Sequence, residues 1–556
     1  MFGAGRTALP VRSTLLAPFL LFVASATFTL WRNTQVGVLV DIAYVLNTAT
    51  RIAAGDVPYA QFPLVLAPLE FLTQALLIKA FGPHFFIQIA YATILGGLGT
   101  ALAYTIARRL VDTAGTRPGA LAAILSIPLV PLGIYAIYPH PFYDPDTCLA
   151  TLATLAAILA ARDRPTPARG LLAGALLAVP VFIKQTIGGA FLVLMVVALA
   201  ADALAQPSAR ASFRWIMAGL VVWLGLEVAA LQLVVGVDKY LIWTWNFALS
   251  GRGLALERLR AFVDPFVIWP GGVILGLAVF ARFLAVPARG PIFVAGLCLP
   301  LFASAFVPAL FPAVPAMFPP LLIAASVLSL IQIARAGVRF ETLVPLVLAG
   351  TATGAIMSQG LYGSTYGIFP LLILALASLV RDLGRFIERP ARLAAATGAV
   401  LAVIITVAGT TYTLENKRLR FIDVDAPGPI TRSSFPSLAG LSARGPYIDD
   451  LDAILFWVRD NVPADDPFVF LPGEDPAFFA LGRRPRLPAV YFFDVANPYT
   501  PSELARFAND VGLRWVFVKD RLQLLDEPPL EQAIVAALTE RATLVAQVGP
   551  YRVFKR

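Results

Sequence analysis

From Leu15 to Tyr412 the chain repeats one pattern, apolar runs of spanning length broken by short polar segments. About 20 helical residues cross a hydrocarbon core. The runs predict membrane helices near 14–31, 85–107, 118–138, 146–161, 170–183, 187–204, 214–236, 263–281, 291–307, 317–333, 342–357, 367–380 and 393–412, about 13 in all. Between the first two lies a long segment, 32–83, whose apolar stretch 63–81 is expected to lie in the interface as an amphipathic helix. A span there would put Arg108 and Arg109 on the wrong side for the rest of the chain. After Tyr412 the pattern changes. Residues 413–447 are predicted as a linker, rich in Pro, Gly and Ser over 425–447, and 448–556 as a separate domain. That domain alternates helical spacing (449–460, 502–511, 530–539) with strand spacing (468–471, 515–519 and two short closing strands). The expected fold class is therefore an α-helical polytopic membrane domain, 1–412, followed by a small α/β domain.

Composition agrees with a bilayer as solvent: 58% of residues are hydrophobic and 14% charged, against about 45–50% and about 25% in an ordinary soluble domain. The net charge of +9 would suit nucleic acid, but its distribution excludes that class. Arginines crowd every second short loop: Arg108, Arg109 and Arg117; Arg162, Arg164 and Arg169; Arg210 and Arg214; Arg282 and Arg289; Arg335 and Arg339; Arg381, Arg385, Arg389 and Arg392. That is the positive-inside bias of a multi-pass inner (plasma) membrane protein. It predicts a cytoplasmic N-terminus and, after an odd number of spans, a periplasmic C-terminal domain. Cys148 and Cys298 both fall in apolar runs, so no disulfide framework is implied. The basic start and first apolar run lack a small-residue cleavage pattern and read as a retained helix.

Charges kept away from the basic loops are the places to look for chemistry, because each is costly near a bilayer. Asp41 follows the first helix, in a stretch leading to Arg51, Gly55-Asp56-Val57-Pro58-Tyr59 and Pro63; it reads equally as a helix cap or as a catalytic carboxylate. The loop His140-Pro141-Phe142-Tyr143-Asp144-Pro145-Asp146 offers two carboxylates and a histidine. It is compatible with a divalent cation or a general base, and with plain capping of the next helix. Lys184-Gln185-Thr186 interrupts what would otherwise be one long apolar run; the lysine could snorkel or hold a lipid phosphate. Lys239, Trp243, Trp245, Asn246, Arg252 and Arg258 mix cations and aromatics in a manner suited to phosphates and sugars, or to an interfacial aromatic belt. The C-terminal domain carries neither a Gly-rich phosphate loop nor a nucleophile elbow.

Taken in order, an acid after the first helix, a G-D-x-P-Y turn, an interfacial helix ending in Phe81-Gly82, a Y-D-P-D loop and an apolar-K-Q-T hairpin resemble the GT-C superfamily of polyprenyl-phosphate-sugar-dependent glycosyltransferases. The resemblance is nearest to lipid A aminoarabinose transferases and protein O-mannosyltransferases, and strongest over 30–200. It implies a glycosyltransferase with Asp41 as catalytic carboxylate, Asp144 and Asp146 building the site, and basic side chains holding the donor phosphate. Where aminoarabinose transferases carry two further basic residues this chain has Tyr44 and Ala67, so the resemblance assigns the phosphate to Lys184, Arg51 or Arg252. Tyr44, Tyr59, His140, Tyr143 and Gln185 are the candidate substrate contacts. The partners implied are a polyprenyl-phosphate-linked sugar donor, a lipid, glycan or protein acceptor, and membrane lipid; a metal cofactor is not required, though Asp144, Asp146 and His140 are compatible with one. A multi-pass transporter or lipid flippase is the alternative, and would place its ionisable groups near the bilayer midplane.

Overall fold

The computed structural model describes residues 11–111, 118–247, 318–359, 367–384, 390–414, 429–493, 497–523 and 532–556. The expected helices 263–281 and 291–307, together with Arg252 and Arg258, lie outside the described residues. The apolar runs form helices α1 Val11–Asn33, α4 Phe85–Leu110, α7 Tyr143–Asp163, α8 Pro167–Ile183, α9 Gln185–Ala205, α10 Arg210–Val234, α12 Phe318–Ala336, α13 Phe340–Gln359, α14 Phe369–Gly384 and α15 Pro390–Leu414, with the short α11 Val237–Leu241 following α10. Among the described residues, six helices are long and apolar enough to cross a membrane by length and composition. Their outer surfaces are apolar as well: Val193 on α9 is 62% exposed, and on α10 Val221 is 69% and Leu233 87% exposed. Such faces demand a hydrocarbon surround, and the chain is a membrane-embedded helical protein.

The expected helix 118–138 is broken. Residues Pro118–Ser126 (α5) and Leu129–Leu132 (α6) are helical, and an irregular stretch follows. Pro128 and Pro131 lack the donor a continuing helix needs, and Tyr135 sits at φ 62. The interfacial stretch 63–81 is likewise helical only as α3, Leu69–Phe81, since Pro63 and Pro68 hold its first residues out of the helix. Ahead of it, Leu39–Ala53 forms α2, almost wholly buried.

Charge separates the two ends of the bundle. At one end Arg109 pairs with Asp163 at 3.0 Å, Arg162 with Asp202, and Arg381 with Asp382 and the Glu341 carbonyl. At the other end lie the end of α1, α2, α3, and the starts of α4 and α7, and there the C-terminal domain docks through α2.

That domain begins earlier than the sequence pattern suggests. Residues 430–447, expected as linker, contain the antiparallel strands β1 Ile430–Arg432 and β2 Ser442–Arg444, with Leu438, Leu441 and Ala443 buried. Helix α16 Tyr447–Asn461 follows, then β3 Phe468–Leu471, a short helix α17 Ala477–Leu481, α18 Pro501–Asp510, β4 Trp515–Lys519, α19 Gln532–Thr539, β5 Thr543–Val548 and β6 Tyr551–Lys555. Strands β3 to β6 form one mixed sheet in the order β3-β4-β6-β5, separate from the β1–β2 pair, with β3 and β4 parallel and the remaining pairs antiparallel. Every β4 residue is buried, which suits its central place.

His140 belongs to this packing. It is fully buried between Phe85 and Tyr138, with ring centroids at 6.0 and 5.4 Å. Burial pushes its pKa down from 6.5 to about 3; the Arg32 charge acts the same way and the Val36 backbone against it. A neutral folded-state imidazole whose unfolded form binds a proton below about pH 6.5 stabilises the fold above that pH and less as pH falls. The thermal midpoint in detergent should therefore drop between about pH 7 and about pH 4.5, with a loss on the order of a few kcal/mol near the lower end. A His140→Phe variant should show a flatter profile; an unchanged slope would contradict this role.

Candidate active site

Helix α7 begins at Tyr143, so Asp144 and Asp146 fall in its first turn, where a carboxylate meets the positive end of the helix dipole. Both are buried, and each has a defined partner. Asp144 Oδ1 accepts from Lys184 Nζ at 2.5 Å. Lys184 sits in extended conformation in the one-residue break between α8 and α9, buried, with its ammonium 4.9 Å from the centroid of the Tyr143 ring. The tight break depends on Gly188, where an added Cβ would stand 2.2 Å from the Pro180 carbonyl carbon. A buried ion pair of this kind is costly to break from one side, about 3–5 kcal/mol.

Asp146 is gripped differently. The Tyr91 hydroxyl donates to Oδ2 at 2.5 Å and the Tyr135 hydroxyl to Oδ1 at 2.6 Å. Near it lies Glu70, a buried acid in the first turn of α3 whose Oε1 accepts from Gln74 Nε2 at 2.9 Å. Burial first, and then the neighbouring Asp146 carboxylate, push the Glu70 carboxyl well above the usual range. Glu70 was not among the candidates from sequence; the available signal was the single acid in the apolar stretch 63–81.

Asp41 lies half-buried in the first turn of α2. One turn on, Tyr44 meets Phe71 of α3 edge-on at 5.6 Å and Tyr491 of the C-terminal domain at 5.4 Å. Phe71 adjoins Glu70, whose carboxyl feels the Asp146 charge, and Asp146 lies two residues from the Asp144–Lys184 pair. Close contacts therefore link α2, α3, α7 and the α8–α9 break at one end of the bundle.

The remaining candidates hold the scaffold around this cluster. Gln185 Nε2 donates to the carbonyls of Val65 and Thr244 at 3.0 and 3.1 Å, and its Oε1 accepts from the Ala67 amide at 3.2 Å. Tyr59, at φ 66, donates its hydroxyl to the Leu66 carbonyl at 2.6 Å, while its own carbonyl accepts from Trp243 Nε1 at 3.3 Å. Lys239, Trp245 and Asn246 are exposed. Arg51 is buried, donating to Asp56 and the Leu487 carbonyl at 2.6 Å each and to the Pro488 carbonyl at 3.0 Å, with its guanidinium 4.7 Å over the Phe62 ring. None of these partners belongs to the Asp144–Lys184 pair; through them Arg51 joins α2 to the C-terminal domain. Asp144, Asp146 and His140 turn to Lys184, to the tyrosines and Glu70, and into the aromatic core respectively. Among the described residues no group of three or more His, Cys, Asp or Glu side chains is placed to hold a metal.

No protein-family model and no curated protein sequence matches the chain. Among solved structures it aligns with ArnT from Cupriavidus metallidurans bound to undecaprenyl phosphate, at 12% identity over 98% of this chain and 96% of that one, with a TM-score of 0.38. The apo state of the same protein aligns over 96% and 97%, also at 12% and 0.38. The archaeal oligosaccharyltransferase AglB from Archaeoglobus fulgidus, in complex with an inhibitory peptide and a dolichol-phosphate, aligns at 12% identity over 91% of this chain and 69% of that one, TM-score 0.45. With identity this low and TM-scores below 0.5 the likeness is loose, and no residue role is taken from it.

The upward shift of the Glu70 carboxyl makes a direct prediction. Infrared spectroscopy of the reconstituted protein at neutral pH should show a protonated-carboxyl stretch that disappears in Glu70→Gln, an amide able to keep the neutral hydrogen bond. Loss of the folded state in Glu70→Gln, or a wild-type spectrum with no such band, would contradict a protonated Glu70.

Proposed function

We propose that the chain is a glycosyltransferase of the GT-C type, moving a sugar from a polyprenyl-phosphate carrier to a hydroxyl of a lipid, polysaccharide or protein acceptor on the periplasmic side of the inner membrane. The observation that carries this reading is the buried Lys184 ammonium, paired with Asp144 at 2.5 Å at the ends of three apolar helices. A cation built into the rim of a membrane domain suits a phosphate whose lipid chain remains in the bilayer.

The chemistry needs few groups. Asp41 takes the proton of the acceptor hydroxyl, whose oxygen forms a bond to the anomeric carbon as the bond from that carbon to the phosphate oxygen breaks. The charge gathering on the leaving phosphate is met by Lys184, which Asp144 holds in place. In-line displacement inverts the anomeric centre. Asp146, fixed by Tyr91 and Tyr135, anchors the start of α7 and with it Asp144. A transporter would set its ionisable groups near the middle of its spans, whereas Asp144 and Lys184 occupy helix ends.

The test is transfer by the purified protein in liposomes, with a panel of radiolabelled polyprenyl-phosphate sugars and envelope acceptor fractions. Wild type should label an acceptor, and Asp41→Asn should reduce kcat by about 100-fold or more. Label transferred equally by both would move the base away from Asp41; no transfer from any donor, with authentic acceptor fractions present, would contradict the enzyme class.

A further inference from the structure

Helix α2 starts without a cap of its own. Its N-cap residue, Val38, has the extended backbone a cap requires, φ −96 and ψ 94, but no side chain to accept from the first turn. The partner comes from the far end of the chain. Gln523 Oε1 accepts from the Leu39 amide at 2.7 Å, and its Nε2 donates to the Gly37 carbonyl at 2.7 Å. One buried amide thereby brackets Val38 on both sides, across 484 residues of sequence. Gly37 is needed for the fit, because a Cβ there would stand 2.6 Å from the Ser442 carbonyl oxygen.

Gln523 is itself held. Its backbone N–H donates to both oxygens of Glu474, at 3.1 and 2.9 Å, and Glu474 Oε1 accepts from Lys519 Nζ at 2.7 Å. Lys519 also binds Asp475 Oδ1 at 2.9 Å, while Asp475 Oδ2 accepts from the Tyr551 hydroxyl at 2.9 Å. All five residues are buried. The same turn grips α2 further along: Asn47 donates to the Asp475 carbonyl at 2.9 Å and accepts from the Phe479 amide at 3.1 Å.

We propose that Gln523, fixed by Glu474 and Lys519, is a positioning residue that caps α2 from the C-terminal domain and thereby sets the place of Asp41 in the first turn. The proposal rests on the reading of Asp41 as the base and gives the C-terminal domain a part in the reaction without any group of its own touching substrate. Loss of the cap frees the first turn while the Asn47 and Arg51 contacts keep the body of α2 docked. A small displacement of a reacting group lowers the rate far more than it lowers binding.

Full-length Gln523→Ala in liposomes tests this by two readouts. Hydrogen exchange over residues 39–42 should quicken about five- to tenfold while the rest of α2 is unchanged, and kcat should fall about tenfold or more with donor KM little altered. Adding Val38→Thr, nearly the same shape but with a capping hydroxyl, should restore part of both. Unchanged exchange over 39–42, or faster exchange with kcat intact, overturns the proposal. Asp41→Asn, assayed in parallel, separates the two readings: wild-type transfer there refutes Asp41 as base, while exchange in Gln523→Ala still decides whether Gln523 caps α2.

Discussion

The helix α2 is the piece on which the rest of the site depends, and it owes its place to a domain that lies outside the bundle in sequence. It carries Asp41 at one end and Arg51 at the other, and neither the apolar core nor its own capping residues settle where it sits. Buried polar contacts from the C-terminal domain do so: Gln523 at its start, Asn47 in its middle, and Arg51 with the Leu487 and Pro488 carbonyls at its end. Apolar packing is tolerant of a slide along the helix axis. Hydrogen bonds between buried groups are not, because each one lost leaves an unsatisfied donor or acceptor, at about 1–3 kcal/mol. The C-terminal domain acts on this view as a register pin.

The same logic governs the bundle end opposite the arginine-rich loops. Carboxylates at the start of α7 would be unfavourable there without partners, and each partner fixes a different neighbour. Asp144 ties α7 to the α8–α9 break through Lys184, and Asp146 ties it to α4 through Tyr91. A hydrophobic replacement could hold these helices together as firmly. What it could not supply is a buried ammonium beside a carboxylate at the membrane rim, the feature that phosphate chemistry needs.

Much of this was legible in the sequence because polar residues in apolar surroundings stand out. Asp41, the Asp144-Pro145-Asp146 turn and Lys184 each interrupt or border an apolar run, and the elements of the C-terminal domain follow their periodicity closely. Glu70 was hidden by the same averaging, one acid in an apolar stretch whose length suggested a single helix. The break at 127–138 was signalled by Pro128 and Pro131 but masked by the apolar residues around them. The carbonyls at 487 and 488 that Arg51 meets leave no local trace in the sequence. The bonds of Gln523 could not have been found at all: a glutamine in a polar loop says nothing about an amide 484 residues away.

The account's central claim is that the carrier phosphate is held by Lys184, beside Asp144, at the end of the bundle where α2 presents Asp41. A cryo-electron-microscopy structure of the protein in lipid nanodiscs with polyprenyl monophosphate tests it most directly. The account predicts phosphate density within hydrogen-bonding reach of Lys184 Nζ, with the lipid chain running along the apolar helices. Phosphate density elsewhere, for example in the cleft lined by Asp56, Arg484 and Arg486, with Lys184 still closed on Asp144, would contradict it.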